Sequence, residues 1–177
     1  MKKKVIIING TGGSGKDTFV EFCAEHIGVK NVSSVDKIKE AALILGWDGK
    51  KDEESRKFLS DLKKLAVEYK DCVFRYITDM YNEFMNDREN NIMFVHIREP
   101  EEIDKVKAEF DAITLLITNT NIEDITSNES DRRVYEYKYN FVIDNSGSLQ
   151  DLAEEAFSFV NKMRLMFPCI DKSDIPN

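Results

Sequence analysis

One segment near the start of the chain, GTGGSGKDT at residues 10–18, restricts the possible folds more than any other part of the sequence. It follows the apolar run VIII of residues 5–8, and apolar residues at helical spacing follow it from Phe19 to Ile27. Glycines let a backbone turn inward with its amide groups aimed at one point. A helix that begins there adds unpaired amides and the positive end of its dipole. The segment therefore predicts a strand, a phosphate-binding loop and a helix.

The same segment matches the GxxxxGK core of the Walker A motif through Gly10, Gly15 and Lys16. Lys16 would supply a mobile cation for the β- and γ-phosphates of a nucleotide, so we expect the loop to bind ATP. An ordinary glycine turn is the alternative, which the combination of strand, loop, lysine and helix disfavours. The predicted nucleotide-binding residues in this segment are Gly10, Gly12, Gly13, Ser14, Gly15, Lys16, Asp17 and Thr18.

The motif departs from the general pattern at Asp17, where a Ser or Thr usually holds magnesium, and Thr18 follows one place later. Asp17 could hold a magnesium-bound water. It could instead only cap the helix N-terminus, where a carboxylate is favoured by about 0.3–1 kcal/mol. The residues alone leave both interpretations open.

Apolar runs of strand length recur along the chain between stretches of helical period. The runs are residues 5–9, 32–35, 92–97, 113–118 and 141–143. This alternation is typical of an α/β fold in which helices cover a parallel sheet. Most of the runs are too uniformly apolar to be half-exposed, so we expect a five-stranded parallel sheet with both faces covered.

Apolar residues also recur at intervals of three and four, which indicates helices. These stripes are Phe19, Val20, Cys23 and Ile27; Phe58, Leu59, Leu62, Leu65 and Ala66; Val73, Ile77, Met80 and Phe84; and Leu149, Leu152, Ala153, Ala156, Val160 and Met163. We expect each stripe to pack inward. Ser148 with Asp151 predicts a capping box at the last helix, and Pro100 after Glu99 predicts the first turn of another.

The length of 177 residues suits one domain, which we place at residues 1–167. A mostly helical insertion is expected at about residues 38–90, and a polar segment at about 119–139 precedes the last strand. Prolines and polar residues dominate residues 168–177, a composition that does not sustain a packed helix, so we expect a loosely held tail.

The composition excludes several classes of function. A net charge of −8 argues against a nucleic-acid partner, although a small anion can still bind to placed cations and amides. No apolar run approaches the ~20 residues that span a bilayer, so no membrane association is expected. The three cysteines lack metal or redox spacing, which favours a reduced, cytoplasmic protein. The oligomeric state stays open between a monomer and a homodimer.

The chain resembles the deoxynucleoside monophosphate kinase group of the P-loop kinases, with animal-type phosphomevalonate kinases as a related set. The likeness is carried by SGKDT at 14–18, VDKIKEAALILGWDGKKDEESRKFL at 35–59, HIRE at 96–99 and FVIDNSGSLQDL at 141–152. The resemblance implies an adenylate kinase-like three-layer sandwich that uses ATP and Mg²⁺. It also implies that the insertion binds a small phosphate acceptor, with a nucleoside monophosphate favoured, and that the polar segment forms a short lid.

In such kinases the third strand ends in a DxR step, whose Arg holds the acceptor phosphate; here the step reads His96, Ile97, Arg98. Arg98 carries over, because a guanidinium suits bidentate contact with phosphate. An ion pair with Glu101 or Glu102 is the alternative. His96 is a departure, because an imidazole near magnesium binds the cation less well than a carboxylate. It could stack on a base or pack against the core.

The resemblance also places Asp36 and Lys37, after the second strand, where these kinases meet the acceptor. Asp36 or Asp17 would then provide the chain's support for the metal, together with the nucleotide itself. Arg56 is a further candidate for the acceptor phosphate, although a charged residue on a helix is usually only solvated. The substrate-binding set is therefore Asp36, Lys37, Arg56 and Arg98.

Arg132 and Arg133 lie where a lid would bring cations over the transferred phosphoryl group, which carries developing charge. With Lys16 and Arg98 they complete the predicted catalytic set. The alternative is a charged segment whose arginines pair with Glu129, Asp131 or Glu136. By resemblance alone, Asn145 and the residues up to Ser148 would lie beside the adenine.

Three functions remain open: a nucleoside or deoxynucleoside monophosphate kinase, a kinase of a non-nucleotide phosphorylated small molecule, and a non-catalytic nucleotide-binding switch. A GTPase switch is disfavoured because the NKxD guanine motif is missing, and the nearest segment, NTNIED from Asn119, lacks its lysine. Hydrolysis by a Ser, His and Asp set is also disfavoured, because neither His26 nor His96 lies near a recognisable nucleophile motif.

Overall fold

The computed structural model describes residues 1–50, 52–122 and 133–168. Two compact units divide the chain: a core unit of Met1–Asn31 and Asp87–Asn177, and a helical unit of Val32–Asn86. The expected tail at residues 168–177 lies outside the described residues except for Pro168, and so does the middle of the expected lid. No helix in the described ranges has both the length and the apolar character needed to cross a membrane.

The core unit is built on a parallel sheet of five strands, as the alternation of apolar runs predicts. The strands are β1 (Lys4–Asn9), β2 (Val29–Ser33), β3 (Ile92–His96), β4 (Ile113–Thr118) and β5 (Phe141–Asp144). Their order in the sheet is β2-β3-β1-β4-β5, so that β1 lies in the centre. Register pairs Ile8 with His96 on one side and Asn9 with Leu116 on the other.

The second strand begins three residues earlier and ends two residues earlier than the apolar run at 32–35 predicts. It ends at Ser33 because the carboxylate of Asp36 accepts the Ser33 N–H at 2.7 Å and the Ser33 hydroxyl accepts the Val35 N–H at 3.4 Å. These bonds turn the chain into a helix instead of extending the strand. Side chain to backbone bonds of this kind compete with sheet pairing.

Helices of the core unit cover both faces of the sheet. On one face α1 (Lys16–Ala24) and α6 (Leu149–Met166) pack over a cluster in which Phe19 meets Phe94 and Phe159 edge to face. Alternate β1 residues such as Ile7 point to the opposite face and are equally buried. There α5 (Pro100–Phe110) buries its own apolar stripe, with Pro100 in its first turn as expected.

The helical unit contains α2 (Asp36–Ile44), α3 (Glu53–Lys70) and α4 (Cys72–Asn86). Asp71, in the left-handed conformation at φ 49°, ends α3. The α4 stripe packs inward as expected. In α3 the expectation is wrong for Phe58 and Leu65, which are 36% and 62% exposed. Phe58 and Leu65 lie seven residues apart and therefore on the same side of the helix. That side is rotated by about 100° around the helix axis from the side that carries Leu59.

Candidate phosphate-binding site

The loop between β1 and α1, which we call the glycine loop (residues 10–18 with the first turn of the helix), requires glycine at two of its positions. Gly10 and Gly15 have φ values of 152° and 93°, which disfavour any residue with a side chain. A Cβ on Gly10 would lie 2.4 Å from the Ile117 carbonyl oxygen, and one on Gly15 would lie 2.2 Å from Nδ2 of Asn145. The loop therefore lies against the carboxyl ends of β4 and β5, the edge of a parallel sheet at which ligands usually bind.

Lys16 places its ammonium group inside the loop. Nζ donates to the carbonyl oxygens of Gly10 and Thr11, each at 2.7 Å, and to the Ser14 hydroxyl at 3.3 Å. Ser14 is fully buried, so the group lies against the inner wall of the loop. A cation held there can meet phosphate oxygens at the start of α1, where the helix dipole also favours negative charge.

Thr11 adds an unused polar group to the same loop. Its hydroxyl oxygen is buried and has no hydrogen-bond partner among the described residues, and the side chain is 2% exposed. Buried hydroxyls normally have a partner, so this one is suited to a bound oxygen atom. This hydroxyl and the glycine positions at which a Cβ would clash together fit the phosphates of a nucleotide. Gly12 and Gly13 belong to the same loop.

Asn145 supports the glycine loop from β5. Its backbone N–H donates to the Thr118 carbonyl at 2.7 Å, and its side-chain Nδ2 donates to the Ser14 carbonyl at 3.0 Å. The resemblance implies only a position near adenine, and that role stays a prediction. The contact with Ser14 is a structural role that the sequence did not reveal, because its two partners are 131 positions apart.

Asp17 and Thr18 lie in the first turn of α1. The Asp17 side chain is exposed, and its Oδ1 lies 3.8 Å from Nε2 of His96. That same nitrogen of His96 lies 2.9 Å from Oδ1 of Asn31, so the imidazole at the end of β3 contacts the middle of β2. His96 therefore makes polar contacts at this position, and the stack on a base and the core packing considered above stay predictions.

The side chains near the glycine loop suit magnesium only if phosphates and water provide most of its ligands. No group of three or more His, Cys, Asp or Glu side chains within the described ranges could hold a metal. Mg²⁺ is commonly bound through one or two protein oxygens plus substrate phosphates. Asp17 and Thr18 can supply such oxygens beside the glycine loop.

The remaining predicted acceptor ligands are divided between the two units. In the helical unit the carboxylate of Asp36 accepts the Ser33 N–H and, at 3.3 Å, the Tyr76 hydroxyl, so its acceptor and metal roles stay predictions. Lys37 forms an exposed ion pair with Glu40 at 2.6 Å. Arg56 lies exposed on α3. These three residues share a unit, but the structure does not assign them a common site.

Arg98 lies in the core unit, where β3 leads into α5. It is half-buried, and its carbonyl oxygen accepts a hydrogen bond from the side chain of Asn9 at 3.3 Å. Asn9 also accepts the Gly10 N–H at 2.8 Å, so one side chain joins the backbone of Arg98 to the glycine loop. Of the predicted acceptor ligands, Arg98 is the one that the structure links to this loop.

Arg133 lies in a short 3₁₀ helix (Arg133–Glu136) that precedes β5. Its guanidinium donates two hydrogen bonds to the Glu101 carboxylate, at 3.2 and 2.6 Å, and lies 3.8 Å from Glu136. The hydrogen bonds from Arg133 hold the pKa of Glu101 below its ordinary value. This arrangement matches the ion-pair alternative, with Glu101 as a partner that sequence reasoning missed. Arg132 lies outside the described residues.

No protein-family model matches the chain, and no curated protein is significantly similar to it in sequence. Solved structures are similar in fold. A dephospho-CoA kinase from Campylobacter jejuni is 19% identical, with a TM-score of 0.52 over 91% of this chain and 97% of its own. The protein TT1252 from Thermus thermophilus is also 19% identical, with a TM-score of 0.52 over 92% and 99%.

A thymidylate kinase from Ehrlichia chaffeensis is 12% identical, with a TM-score of 0.50 over 90% of this chain and all of its own. At such identities the similarity shows the fold alone. The chain has the α/β fold found in P-loop kinases, with the glycine loop at the position between β1 and α1.

Proposed function

We propose that the chain is an ATP-dependent phosphotransferase whose acceptor is the phosphate group of a nucleoside or deoxynucleoside monophosphate. The observation that carries the proposal is the glycine loop, in which the Lys16 ammonium lies among inward-facing backbone groups at a helix N-terminus. The acceptor class rests on the resemblance at residues 35–59 and on Arg98, which is linked to the loop through Asn9.

The proposed reaction breaks the bond between the γ-phosphorus and the oxygen that bridges it to the β-phosphate. A phosphate oxygen of the acceptor forms the new bond to the γ-phosphorus, and ADP leaves. The protein's contribution to such a transfer is chiefly positioning and neutralisation of charge on the three equatorial oxygens. Lys16 and the loop amides would hold the donor, and Arg98 would hold the acceptor phosphate in line with it. Mg²⁺, when bound with ATP, supplies further charge neutralisation.

A panel of acceptors tests the proposal. ADP formation is measured with ATP and Mg²⁺ in the presence of each common ribo- and deoxyribonucleoside monophosphate, a set of phosphorylated sugars, and buffer alone. We expect at least one nucleoside monophosphate to accelerate ADP formation. Acceleration by a phosphorylated non-nucleotide alone would replace the acceptor class, and equal ADP formation in all mixtures would favour a nucleotide-dependent switch.

Lys16→Ala tests the donor site separately. Without the ammonium the ATP phosphates lose their central cation, so we expect at least about tenfold weaker ATP binding by calorimetry. The rate should fall by at least about 100-fold. Lys2→Ala is the matched control, because Lys2 is an exposed lysine at the other end of β1. Unchanged ATP binding in Lys16→Ala would refute the assignment of the glycine loop.

A further inference from the structure

The side chain of Asn9 is buried at the carboxyl end of β1, one residue before the glycine loop. It is 1% exposed in a strand that is otherwise almost entirely apolar. Oδ1 accepts the Gly10 N–H at 2.8 Å, while Nδ2 donates to the Arg98 carbonyl at 3.3 Å and to the Tyr139 hydroxyl oxygen at 2.7 Å. The orientation of the amide is unambiguous, because a backbone N–H can only donate and a carbonyl can only accept.

Tyr139 continues this chain of hydrogen bonds. Its hydroxyl accepts from Asn9 and donates to the Val134 carbonyl at 2.8 Å, and Val134 is a fully buried residue of the 3₁₀ helix. Burial raises the pKa of Tyr139 to about 12, so the hydroxyl stays protonated and remains a donor at neutral pH. Neighbouring Tyr137 packs its ring edge-on at 5.2 Å but directs its hydroxyl outward, to Asp104 at 2.7 Å.

The two side chains join three segments that are far apart in sequence. They are the start of the glycine loop at Gly10, the turn after β3 at Arg98, and the 3₁₀ helix with Val134. Every polar atom that the two side chains use has a partner of the right polarity. Satisfied buried networks of this kind stiffen their surroundings, and a missing member leaves the others unpaired.

We propose that Asn9 and Tyr139 are positioning residues that hold the glycine loop, the Arg98 turn and the 3₁₀ helix in the relative geometry needed for phosphoryl transfer. The proposal rests on the proposed function. The two side chains would act through the backbone of Gly10, which begins the donor loop, and of Arg98, which would hold the acceptor. Their loss should therefore affect the rate of transfer more than the binding of ATP.

Tyr139→Phe is the first variant, because it keeps the ring and removes only the hydroxyl. We expect kcat to fall about 10–100-fold, as small misplacements of reacting groups do. The dissociation constant of ATP should stay within about twofold, because Lys16 and the loop amides remain. Tyr137→Phe is the matched control: it removes a neighbouring hydroxyl that has one outward partner, and its kcat should equal that of the wild type.

Asn9→Asp is the second variant, since it preserves the shape of the side chain and replaces the donor Nδ2 by an acceptor oxygen. A carboxylate can still accept the Gly10 N–H, but it repels the Arg98 carbonyl and cannot donate to Tyr139. We expect a fall in kcat at least as large as in Tyr139→Phe. A role limited to stability would instead lower the melting temperature and leave kcat per folded molecule unchanged, and that result would overturn the proposal.

Amide hydrogen exchange on the ligand-free protein tests the coupling without any enzymatic activity. Tyr139→Phe should accelerate exchange in the peptide that contains Gly10, about 130 residues away in sequence, whereas Tyr137→Phe should not. Unchanged exchange at Gly10 would overturn the inference even if the kinase is active. If no acceptor supports transfer by the wild type, the proposed function fails and the positioning role fails with it, whatever the exchange shows.

Discussion

The residues of the candidate site form two groups. Some are proposed to contact a ligand, and others hold the loop that carries them. Lys16 and Thr11 place an ammonium and a hydroxyl in the glycine loop, and that hydroxyl has no hydrogen-bond partner in the part of the chain that the structure describes. Asn9 and Asn145 hold the backbone of that loop by hydrogen bonds to the Gly10 N–H and the Ser14 carbonyl. Substitutions in the first pair should weaken ligand binding directly, whereas substitutions in the second pair should act through the backbone.

Arg98→Ala tests the residue proposed to hold the acceptor phosphate. A guanidinium that contacts only the acceptor contributes to acceptor affinity, so KM for the acceptor should rise at least about tenfold while KM for ATP stays within about twofold. Steady-state kinetics with each substrate varied in turn measures the difference. Arg88→Ala, which removes an exposed arginine, is the control. Equal increases for both substrates would refute the assigned role.

The sequence indicates the residues proposed to bind phosphate better than the residues that support them. Lys16 and the glycines lie within nine consecutive positions, where the spacing itself carries the chemistry. Asn9 contacts Arg98 and Tyr139, which are 89 and 130 positions away, and Asn145 contacts Ser14, which is 131 positions away. The sheet order brings these partners together. The polar residue that ends the apolar run of β1 is a local feature that marks Asn9, but the sequence analysis assigned this residue no role.

Among the elements, α6 shows how a local pattern can decide where a helix begins. The Ser148 hydroxyl accepts the Asp151 N–H at 3.2 Å, and the Asp151 carboxylate accepts the Ser148 N–H at 2.7 Å, which confirms the predicted capping box. The two partners lie three residues apart, so the sequence was sufficient. The position of β2 depended instead on side-chain bonds to the backbone after Ser33, which hydrophobic pattern does not reveal.

Ser148→Ala should therefore lower the free energy of unfolding by about 1 kcal/mol, because it leaves a helix N–H without its cap. Urea denaturation measures this loss. Ser158→Ala is the control, since Ser158 is exposed within the same helix and its replacement should change stability by less than about 0.5 kcal/mol. A loss in Ser148→Ala no larger than in the control would contradict the capping role.

For the whole molecule, net charge and local electrostatics act in opposite directions at the site. The chain carries a formal charge of −8, yet the glycine loop collects an ammonium and the start of a helix in one place. The overall charge argues against a nucleic-acid partner, which stays a prediction, and the motif predicts the local concentration of positive charge. The five strands and their parallel arrangement were also predictable, because uniformly apolar runs require cover on both sides.

The stability of the whole molecule should fall in alkaline solution. Burial is the largest cause that raises the pKa of Tyr76, Tyr137 and Tyr139 to about 12, above the ordinary value of about 10. A raised folded-state pKa contributes stability that is complete below about pH 10 and is lost as the pH rises toward about 12. Urea midpoints at about pH 9 and about pH 11.5 measure the loss. Tyr139→Phe should show a smaller loss than the wild type; an equal one would contradict this account.

Lys16 already has hydrogen-bond partners within the glycine loop. The ammonium of Lys16 donates to the carbonyl oxygens of Gly10 and Thr11, which ties the first residues of the loop to the start of the helix. On the proposed function, an arriving phosphate would have to compete with these carbonyl oxygens, and part of its attraction to the ammonium would be offset by that exchange. The same exchange in reverse would assist the release of a product of the proposed reaction.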